Sequence, residues 1–291
     1  MKIAVISDIH GNVPALHAVK EHLESWQPDM VIVNGDTVNR GPCSRGALRF
    51  VLGKQDSEDW VVLRGNHEDY LLECSRPEMT QPGPRYEINR FAHFAYRQLN
   101  GELEALVNLP DRFSWVAPDG SEFRVVHASM RSNRDGVYKE LSDKELHKKI
   151  APAPAVFVTG HTHQPLIRHL DQTLVVNAGS VGAPFDLDWR PSYGRFTWSA
   201  SRGWQSEIAR VPYDRHLVEQ DYVRSGFLTA GGPLAQLMLV ELRRARGQIY
   251  HWASQYEAAV LKQEISIEES VRRVLLEDAN RPFLGSPGWT F

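Results

Sequence analysis

Six short apolar runs rich in Val and Ile recur along the first two thirds of the chain, and each ends abruptly in a polar residue or a turn. The runs are Lys2–Ser7, Met30–Asn34, Trp60–Leu63, Phe123–Val126, Ala155–Thr159 and Leu174–Val176. Their length and β-branched content predict buried strands rather than helices. Helical patterns lie between them, as in Val13–Trp26. This alternation predicts an α/β fold with a largely parallel sheet that is covered on both faces.

The composition excludes several classes of protein. A length of 291 residues suits one large α/β domain or a domain with an appendage. The formal charge of −3 gives no reason to expect a nucleic-acid polymer or an anionic membrane as the main partner. No apolar run approaches the roughly 20 residues of a membrane helix, and two cysteines cannot form a disulfide framework. We therefore expect a soluble cytoplasmic protein without a signal peptide.

The pattern changes after about residue 192. Arg195–Ala200 and Trp204–Val211 predict an antiparallel hairpin. The remainder is predicted to be helical, with a tail that lacks regular structure; these segments are Leu234–Arg246, Ile249–Lys262 and Ser266–Glu277, and then the tail Arg281–Phe291. We predict a first domain over residues 1–213 and a helical C-terminal extension over residues 214–291. The extension is expected to be structural cover, a cap beside a functional site, or a contact between copies in a homo-oligomer.

Side chains that bind metals follow five of the predicted strands. They are Asp8, His10, Asp36, Asn66, His67, His127, His161 and His163. Side chains two positions apart in an extended chain point the same way, so Asp8 and His10 can face one point. A single Asp or His after a strand is usually a turn or surface residue. Eight of them at the carboxyl ends of consecutive strands, where open α/β sheets bind ligands, predict a metal site.

The chemical types of the candidate ligands restrict which metal ions can bind. A set of imidazoles, carboxylates and an amide without thiolates excludes iron–sulfur clusters and most structural zinc sites. It suits Mn²⁺, which is our first expectation, and also Fe, Zn²⁺ or Mg²⁺. Seven or eight ligands are too many for one ion, so we expect two ions, about 3.5–4 Å apart, that share a bridging carboxylate. Such a pair activates water and neutralises phosphate charge, which predicts phosphoryl transfer to water.

Five motifs that carry these residues resemble, in order, the calcineurin-like metallophosphoesterase superfamily. They are Asp8-Ile9-His10-Gly11-Asn12, Gly35-Asp36-Thr37-Val38-Asn39-Arg40-Gly41, Arg64-Gly65-Asn66-His67-Glu68, Val126-His127-Ala128 and Gly160-His161-Thr162-His163. The resemblance spans residues 3–183 and implies a four-layer α/β/β/α sandwich with two metals. It also implies a division of the ligands around a bridging Asp36: Asp8, His10 and His163 for one metal, and Asn66, His127 and His161 for the other.

The resemblance also implies roles for residues that do not bind metal. His67 would hydrogen-bond the phosphate or protonate the leaving oxygen. Arg40 is similar to a phosphate-binding arginine of the protein-phosphatase branch, with a surface salt bridge as the alternative. Asn39 stands where that branch has an Asp that orients the catalytic His, and an amide supplies no charge to an imidazolium. Asn177 and Ser180, after the sixth predicted strand, are weaker candidates for residues of the site.

The final motif, Gly160–Pro165, resembles that of bacterial phosphodiesterase-type members. We therefore expect a hydrolase that cleaves a small phosphodiester, such as a cyclic nucleotide, by in-line attack of a metal-activated water. The alternatives are a diadenosine tetraphosphatase and a serine/threonine protein phosphatase. A metal-binding regulator without turnover belongs to another class, and the complete ligand set argues against it. The expected partner is thus a small phosphate ester.

Overall fold

The computed structural model describes residues 1–101 and 103–285 and contains two mixed sheets of five strands. The strands are β1 (Lys2–Ile6), β2 (Met30–Asn34), β3 (Val61–Leu63), β4 (Arg112–Val116), β5 (Glu122–Val126), β6 (Val156–Thr159), β7 (Leu166–Leu170), β8 (Thr173–Asn177), β9 (Ser192–Ser199) and β10 (Gly203–Arg210). The first sheet has the order β10-β9-β1-β2-β3, and the second has the order β4-β5-β6-β8-β7. In each sheet three parallel strands carry antiparallel neighbours.

The strand–helix alternation alone predicts one largely parallel sheet, whereas the strands form two mixed sheets; all six predicted strands and the hairpin are present. A strand buried on both faces has the same apolar sequence whether helices or a second sheet cover it. The two strands that the sequence did not reveal, β4 and β7, lie at the edges of the second sheet. Their residues alternate between more exposed and more buried positions, so neither forms a continuous apolar run.

The helices lie between the strands of the first two thirds and then make up the C-terminal region. They are α1 (Val13–Trp26), α2 (Ser44–Glu58), α3 (Asn66–Glu73), α4 (Pro84–Ile88), α5 (Arg90–Leu99), α6 (Leu103–Val107), α7 (Asp143–Ile150), α8 (Arg215–Arg224), α9 (Phe227–Ala230), α10 (Leu234–Arg244), α11 (Ile249–Trp252), α12 (Ala258–Leu261) and α13 (Ile267–Leu275). A π turn, Ala253–Glu257, joins α11 to α12. One short 3₁₀ helix follows α3, at Pro77–Met79.

The start of a helix is fixed at several points by a side chain that accepts a backbone N–H. Asn12 accepts from Ala15 at 3.1 Å, and Ser266 accepts from Glu269 at 3.1 Å. These contacts satisfy amides that have no partner in the first helical turn. The tail was predicted to lack regular structure, but Arg281–Phe283 forms a 3₁₀ turn. Its last part, residues 286–291, lies outside the described residues.

Four layers result from the packing of these elements. Helices α1 and α2 cover the outer face of the first sheet. Apolar side chains from both sheets, including Ile3, Ile32 and Phe123, fill the space between them. Helix α7 covers the outer face of the second sheet through Leu146 and Ile150. The predicted four-layer α/β/β/α sandwich is confirmed.

The C-terminal helices bury their apolar stripes within the chain. Leu237 and Trp252 join a cluster with Ile88 of α4, and Met238 joins another with Phe94 of α5. The helical extension is thus present and packs on α4 and α5, which precede the second sheet in the chain. The domain boundary at residue 213 and the contact between copies stay predictions. Within the described ranges, no helix is both long and apolar enough to cross a bilayer.

Candidate metal centre

The carboxyl ends of strands from both sheets meet at one buried point. The predicted ligands lie in the segments that follow β1, β2, β3, β5 and β6, with Asn66 at the start of α3, and the structure brings all seven together: Asp8, His10, Asp36, Asn66, His127, His161 and His163. All are buried except His161, which is partly exposed. The strand pattern explains this convergence, because parallel strands end at the same edge of a sheet.

One group of ligand atoms gathers around Asp8. The ligand atoms of Asp8, His10, Asp36 and His163 all lie within 4.8 Å of one another. Asp8 Oδ1 is 3.2 Å from His163 Nε2 and 3.9 Å from His10 Nε2. Asp36 Oδ2 lies 3.8 Å from His10 Nε2. Two carboxylates and two imidazoles thus face a single small space.

A second group shares Asp36 with the first. Asp36, His127 and His161 form a set with the same spacing, and Asp36 Oδ2 is 3.2 Å from His127 Nε2. Asn66 Oδ1 completes it, at 2.9 Å from His127 Nε2 and 2.8 Å from His161 Nδ1. Asp36 is therefore the carboxylate that lies between the two groups.

The hydrogen bonds of His127 show that the second group suits a cation. His127 Nδ1 lies 2.8 Å from the carbonyl oxygen of Asn34, so this nitrogen carries the proton. The other nitrogen, Nε2, faces the oxygens of Asp36 and Asn66. Two oxygen acceptors thus converge on one ring nitrogen, and a divalent cation can take the place of the proton that Nε2 holds between them. A carbonyl that fixes the ring of a ligating histidine is also the usual arrangement at metal sites.

The first group repeats this arrangement at His163. His163 Nδ1 lies 2.6 Å from the carbonyl oxygen of Ala183, which leaves the lone pair of Nε2 facing Asp8 Oδ1 and His10 Nε2. Asp8 Oδ1 and His10 Nδ1 have no hydrogen-bond partner in the part of the chain that the structure describes. The buried Asp/His cluster thus fits a divalent metal.

The pKa values of the histidines agree with a ligand role. Burial lowers the pKa of His10 to about 3 and that of His161 to about 4, so both rings are neutral, as ligation requires. Burial also disfavours the charged form of His127, but the charge of Asp36 and its hydrogen bond raise the pKa of His127 to about 10. Asp36 therefore attracts a cation, and metal binding must release the proton from His127.

Glu68 is a buried residue that the sequence analysis did not single out. Its carboxylate accepts backbone N–H groups from Asp36 at 2.9 Å, Thr37 at 2.8 Å and Gly65 at 2.8 Å. Burial and the charge of Asp36 raise the pKa of Glu68 to about 7. Glu68 thus fastens the loop of Asp36 to the start of α3, which carries Asn66 and His67. Its place directly after those two residues is the signal that could have revealed it.

Seven residues of this region have a left-handed backbone, with φ between 48° and 68°; they are Asp8, His10, Asp36, Asn39, Arg40, His161 and His163. This conformation is rare for residues other than glycine, and it clusters at functional sites. Hydrogen bonds between the loops hold it in place, such as His10 N–H to the Asp36 carbonyl at 2.9 Å. Gly65 lies so close to the Asp36 carboxylate that a Cβ at this position would collide with it.

His67 lies beside the cluster, and Asn39 fixes the orientation of its ring. Asn39 Oδ1 accepts the backbone N–H of Arg40 at 2.8 Å; because that group can only donate, the facing atom must be the amide oxygen. Asn39 Nδ2 therefore donates to His67 Nδ1, at 2.9 Å. The amide of Asn39 thus donates to the ring and does not accept from it. The proton of the neutral ring is thus on Nε2, and burial holds the pKa of His67 well below its usual value.

Arg40 forms a salt bridge, but not at the surface. Its Nη2 lies 2.5 Å from Glu241 Oε2 of α10, and both side chains are largely buried. The two weaker candidates support loops. Asn177 Nδ2 donates to the carbonyl oxygen of Gly160 at 2.7 Å, and Ser180 Oγ donates to the carbonyl oxygen of Asp8 at 2.8 Å. Both residues are fully buried.

A cavity of about 700 Å³, here called the site cavity, opens onto the cluster. Asp36, Arg40, His67, His161 and His163 line its inner part. Its other walls come from the loops around Tyr138 and Phe185 and from the C-terminal extension, with the side chains Tyr138, Lys139, Phe185, Glu241, Arg246 and Tyr250 among them. The volume suits a small molecule.

Residues 1–200 match the family model of the calcineurin-like phosphoesterase superfamily domain, which is more than half of the chain. The chain belongs to the calcineurin-like phosphoesterase superfamily. The family prediction is thereby confirmed, and the name of the family points to a phosphoester hydrolase. The match ends well before Glu241 and the other cavity residues of the extension.

Two curated relatives are similar in sequence to short parts of this chain. Both are named symmetrical bis(5'-nucleosyl)-tetraphosphatase. The relative from Pseudomonas syringae pv. syringae is 32% identical over 77 residues, or 26% of this chain, and that from Psychromonas ingrahamii is 37% identical over 73 residues, or 25% of this chain. Each alignment covers 26% of the relative, so the chain spans about a quarter of the length of the curated relatives it matches.

Two crystal structures have the same fold over most of the chain. A metallophosphoesterase from Sphaerobacter thermophilus is 22% identical with a TM-score of 0.66, and the match covers 84% of this chain and 99% of that one. A hypothetical protein from Pyrococcus horikoshii OT3 is 20% identical, also with a TM-score of 0.66, over 79% of this chain and 98% of that one. At this identity the likeness shows the fold alone.

Proposed function

We propose that this chain is a metal-dependent phosphoesterase that uses two divalent ions to hydrolyse small phosphate esters. The observation that carries this proposal is the pair of buried ligand groups that share Asp36. One buried carboxylate common to two sets of imidazoles is the arrangement that a two-ion centre needs. Superfamily membership supports the same chemistry.

Each part of the site has a role in the proposed reaction. When bound, two divalent ions held by the seven ligands would supply an activated water and would neutralise charge on the phosphate. Arg40 would bind a phosphate oxygen from the side of the site cavity. His67 would donate its Nε2–H to an oxygen of the phosphate or of the leaving group, because Asn39 occupies Nδ1 as a donor. Phe185 stacks on His163 with ring centroids 4.3 Å apart and keeps solvent from that ligand.

The protonation state of His67 restricts which leaving groups the site can expel. A neutral imidazole N–H is a weak acid, so it can stabilise a departing oxygen by a hydrogen bond but transfers its proton poorly. Leaving groups that depart as stable anions should then react best. We therefore propose small phosphodiesters with good leaving groups as first substrates. Cyclic nucleotides belong to the same size class, but their leaving group is a ribose alkoxide, so we expect them to react more slowly than aryl diesters. A protein phosphatase must expel an alkoxide from phosphoserine and fits this site less well.

A dinucleoside polyphosphate is the second candidate. Two partial relatives are named for hydrolysis of such a compound, and its leaving group is a nucleotide that departs without protonation. The cationic side chains Lys139 and Arg246 line the site cavity beyond Arg40 and could bind further phosphates.

A hydrolysis screen tests the proposal. Purified protein is assayed with bis(p-nitrophenyl) phosphate, cyclic AMP, diadenosine tetraphosphate and a phosphoserine peptide, each with Mn²⁺, Mg²⁺, Zn²⁺ and Fe²⁺. We expect metal-dependent hydrolysis of at least one of the first three, and the Asp36→Ala protein is the control for contaminating enzymes. An inactive wild-type protein that still binds metal would favour the metal-binding regulator and refute the proposal.

A further inference from the structure

The C-terminal extension reaches the site cavity through one buried ion pair. Glu241 of α10 is 2% exposed, and its Oε2 accepts from Arg40 Nη2 at 2.5 Å. Arg40 belongs to the loop after β2, next to Asn39, whereas Glu241 lies beyond the residues that match the superfamily model. The two side chains are 201 positions apart in the chain, so this contact is a property of the tertiary fold.

The other oxygen of Glu241 is bound on the side of the extension. Glu241 Oε1 accepts the backbone N–H groups of Gln248 at 2.6 Å and Ile249 at 2.9 Å. These three contacts occupy both oxygens of the carboxylate. The turn after α10 is also fixed to the loop after β8, because Leu187 N–H donates to the carbonyl oxygen of Ala245 at 2.9 Å. Glu241 is therefore a rigid acceptor and not a mobile counterion.

Arg40 is consequently held at both ends. Its backbone N–H donates to Asn39, and its guanidinium donates to Glu241. An arginine side chain loses roughly 2 kcal/mol of conformational entropy when it is fixed, and here that cost is met before a ligand arrives. A guanidinium has five N–H donors, so one contact to Glu241 leaves others for a phosphate oxygen. Arg40 lines the site cavity together with Asp36 and His67.

We propose that Glu241 is a positioning residue that fixes Arg40 for the phosphate of the substrate. The extension is then a part of the substrate site and not only a cover for the sandwich. This inference rests on the proposed phosphoesterase function. It differs from a purely structural role of Glu241, in which the carboxylate would only stabilise the turn after α10.

The test is Glu241→Gln, which keeps one oxygen for the N–H groups of Gln248 and Ile249 but places an amide NH₂ against Arg40. We measure kcat and KM on the best substrate of the screen, and the Kd of inorganic phosphate by calorimetry with the metal-loaded protein. The expected result is a rise of about tenfold in KM and in the phosphate Kd, which equals about 1.4 kcal/mol. The metal content should stay that of the wild type.

The matched control is Glu219→Gln. Glu219 Oε2 accepts from Arg243 at 2.8 Å in the same extension, but Glu219 does not line the site cavity. This variant should lower Tm while KM and the phosphate Kd stay at their wild-type values. A double-mutant cycle with Arg40→Ala then separates the roles, because Glu241→Gln should have no further effect on phosphate affinity once Arg40 is gone.

Three results would overturn the inference. The first is an unchanged phosphate Kd in a folded Glu241→Gln protein, and the second is a loss of phosphate affinity in the double variant that is larger than in Arg40→Ala alone. The third is wild-type phosphate affinity in Arg40→Ala, and this result is decisive even where the Glu241→Gln protein does not fold. A wild-type protein that binds phosphate but hydrolyses nothing would instead refute the proposed function. In that case the phosphate calorimetry still tests Glu241.

Discussion

Asn39→Asp reverses the hydrogen bond that holds His67. In the wild type, Asn39 Nδ2 donates to His67 Nδ1 across 2.9 Å. A carboxylate at the same place can only accept, so the proton of His67 must move to Nδ1, and a second proton on Nε2 gives an imidazolium that the carboxylate stabilises. The new carboxylate keeps the backbone N–H of Arg40 as a donor at 2.8 Å. The change therefore turns a weak proton donor into a strong one.

The size of the effect follows from that one contact. A hydrogen bond with a charged partner contributes about 1.5–3 kcal/mol. Because 1.36 kcal/mol is a factor of ten in rate, leaving groups that need a proton should react roughly 10- to 100-fold faster. Leaving groups that depart as stable anions should gain little. Since the gain needs protonated His67, it should be present at low pH and be lost as the pH rises through the pKa of His67.

The assay is a series of aryl and alkyl phosphodiesters whose leaving groups differ in pKa. The slope of log kcat against leaving-group pKa should be steep in the wild type and shallower in Asn39→Asp. Asn39→Ala is the control, because it removes the donor without adding an acceptor, and it should not flatten the slope. Elemental analysis checks that all three proteins hold the same metal. An equal slope in Asn39→Asp and wild type would refute our reading of how His67 is held.

Three further predictions concern the ligands and the extension. Asp36→Ala should lower metal content, measured by elemental analysis, and should reduce activity by several orders of magnitude, because both ligand groups lose their common carboxylate; full metal content would contradict a shared site. His67→Ala should keep its metal and lose turnover, whereas His161→Ala should lose both, and the opposite pattern would reverse the assignment. Truncation after residue 213 should give protein that aggregates in size-exclusion chromatography, because Phe94 of α5 loses its cover; a monodisperse truncated chain with unchanged KM would contradict both the packing and the role of Glu241.

The site was predictable from the sequence because its residues follow a simple local rule. Each ligand comes directly after a β-branched run, and strands that run in parallel bring such positions to one edge. Asp8 and Asp36 come close because β1 and β2 are neighbours in the first sheet. His127 and His161 come from the second sheet, whose position the local pattern did not give. The resemblance to the superfamily supplied that relation.

Other features depend on contacts that no local pattern contains. The amide of Asn39 has two possible orientations, and only the backbone N–H of Arg40 decides between them. Glu241 lies in a largely buried, mostly apolar helix, and nothing in the neighbouring sequence identifies Arg40 as the partner of its carboxylate. The edge strand β4 was missed because exposed positions interrupt its apolar residues.

The left-handed backbone of the ligand loops connects these observations. A non-glycine residue in this conformation costs roughly 1–3 kcal/mol and persists only where surrounding contacts enforce it. At Asp36 the enforcing contacts come from Glu68, and at Arg40 they come from Asn39. The strained loops around the cluster are thus supported by buried polar groups that are not themselves ligands. We infer that removal of such a support should disturb the geometry of the site before it disturbs the fold, because the apolar residues packed between the two sheets lie outside these loops.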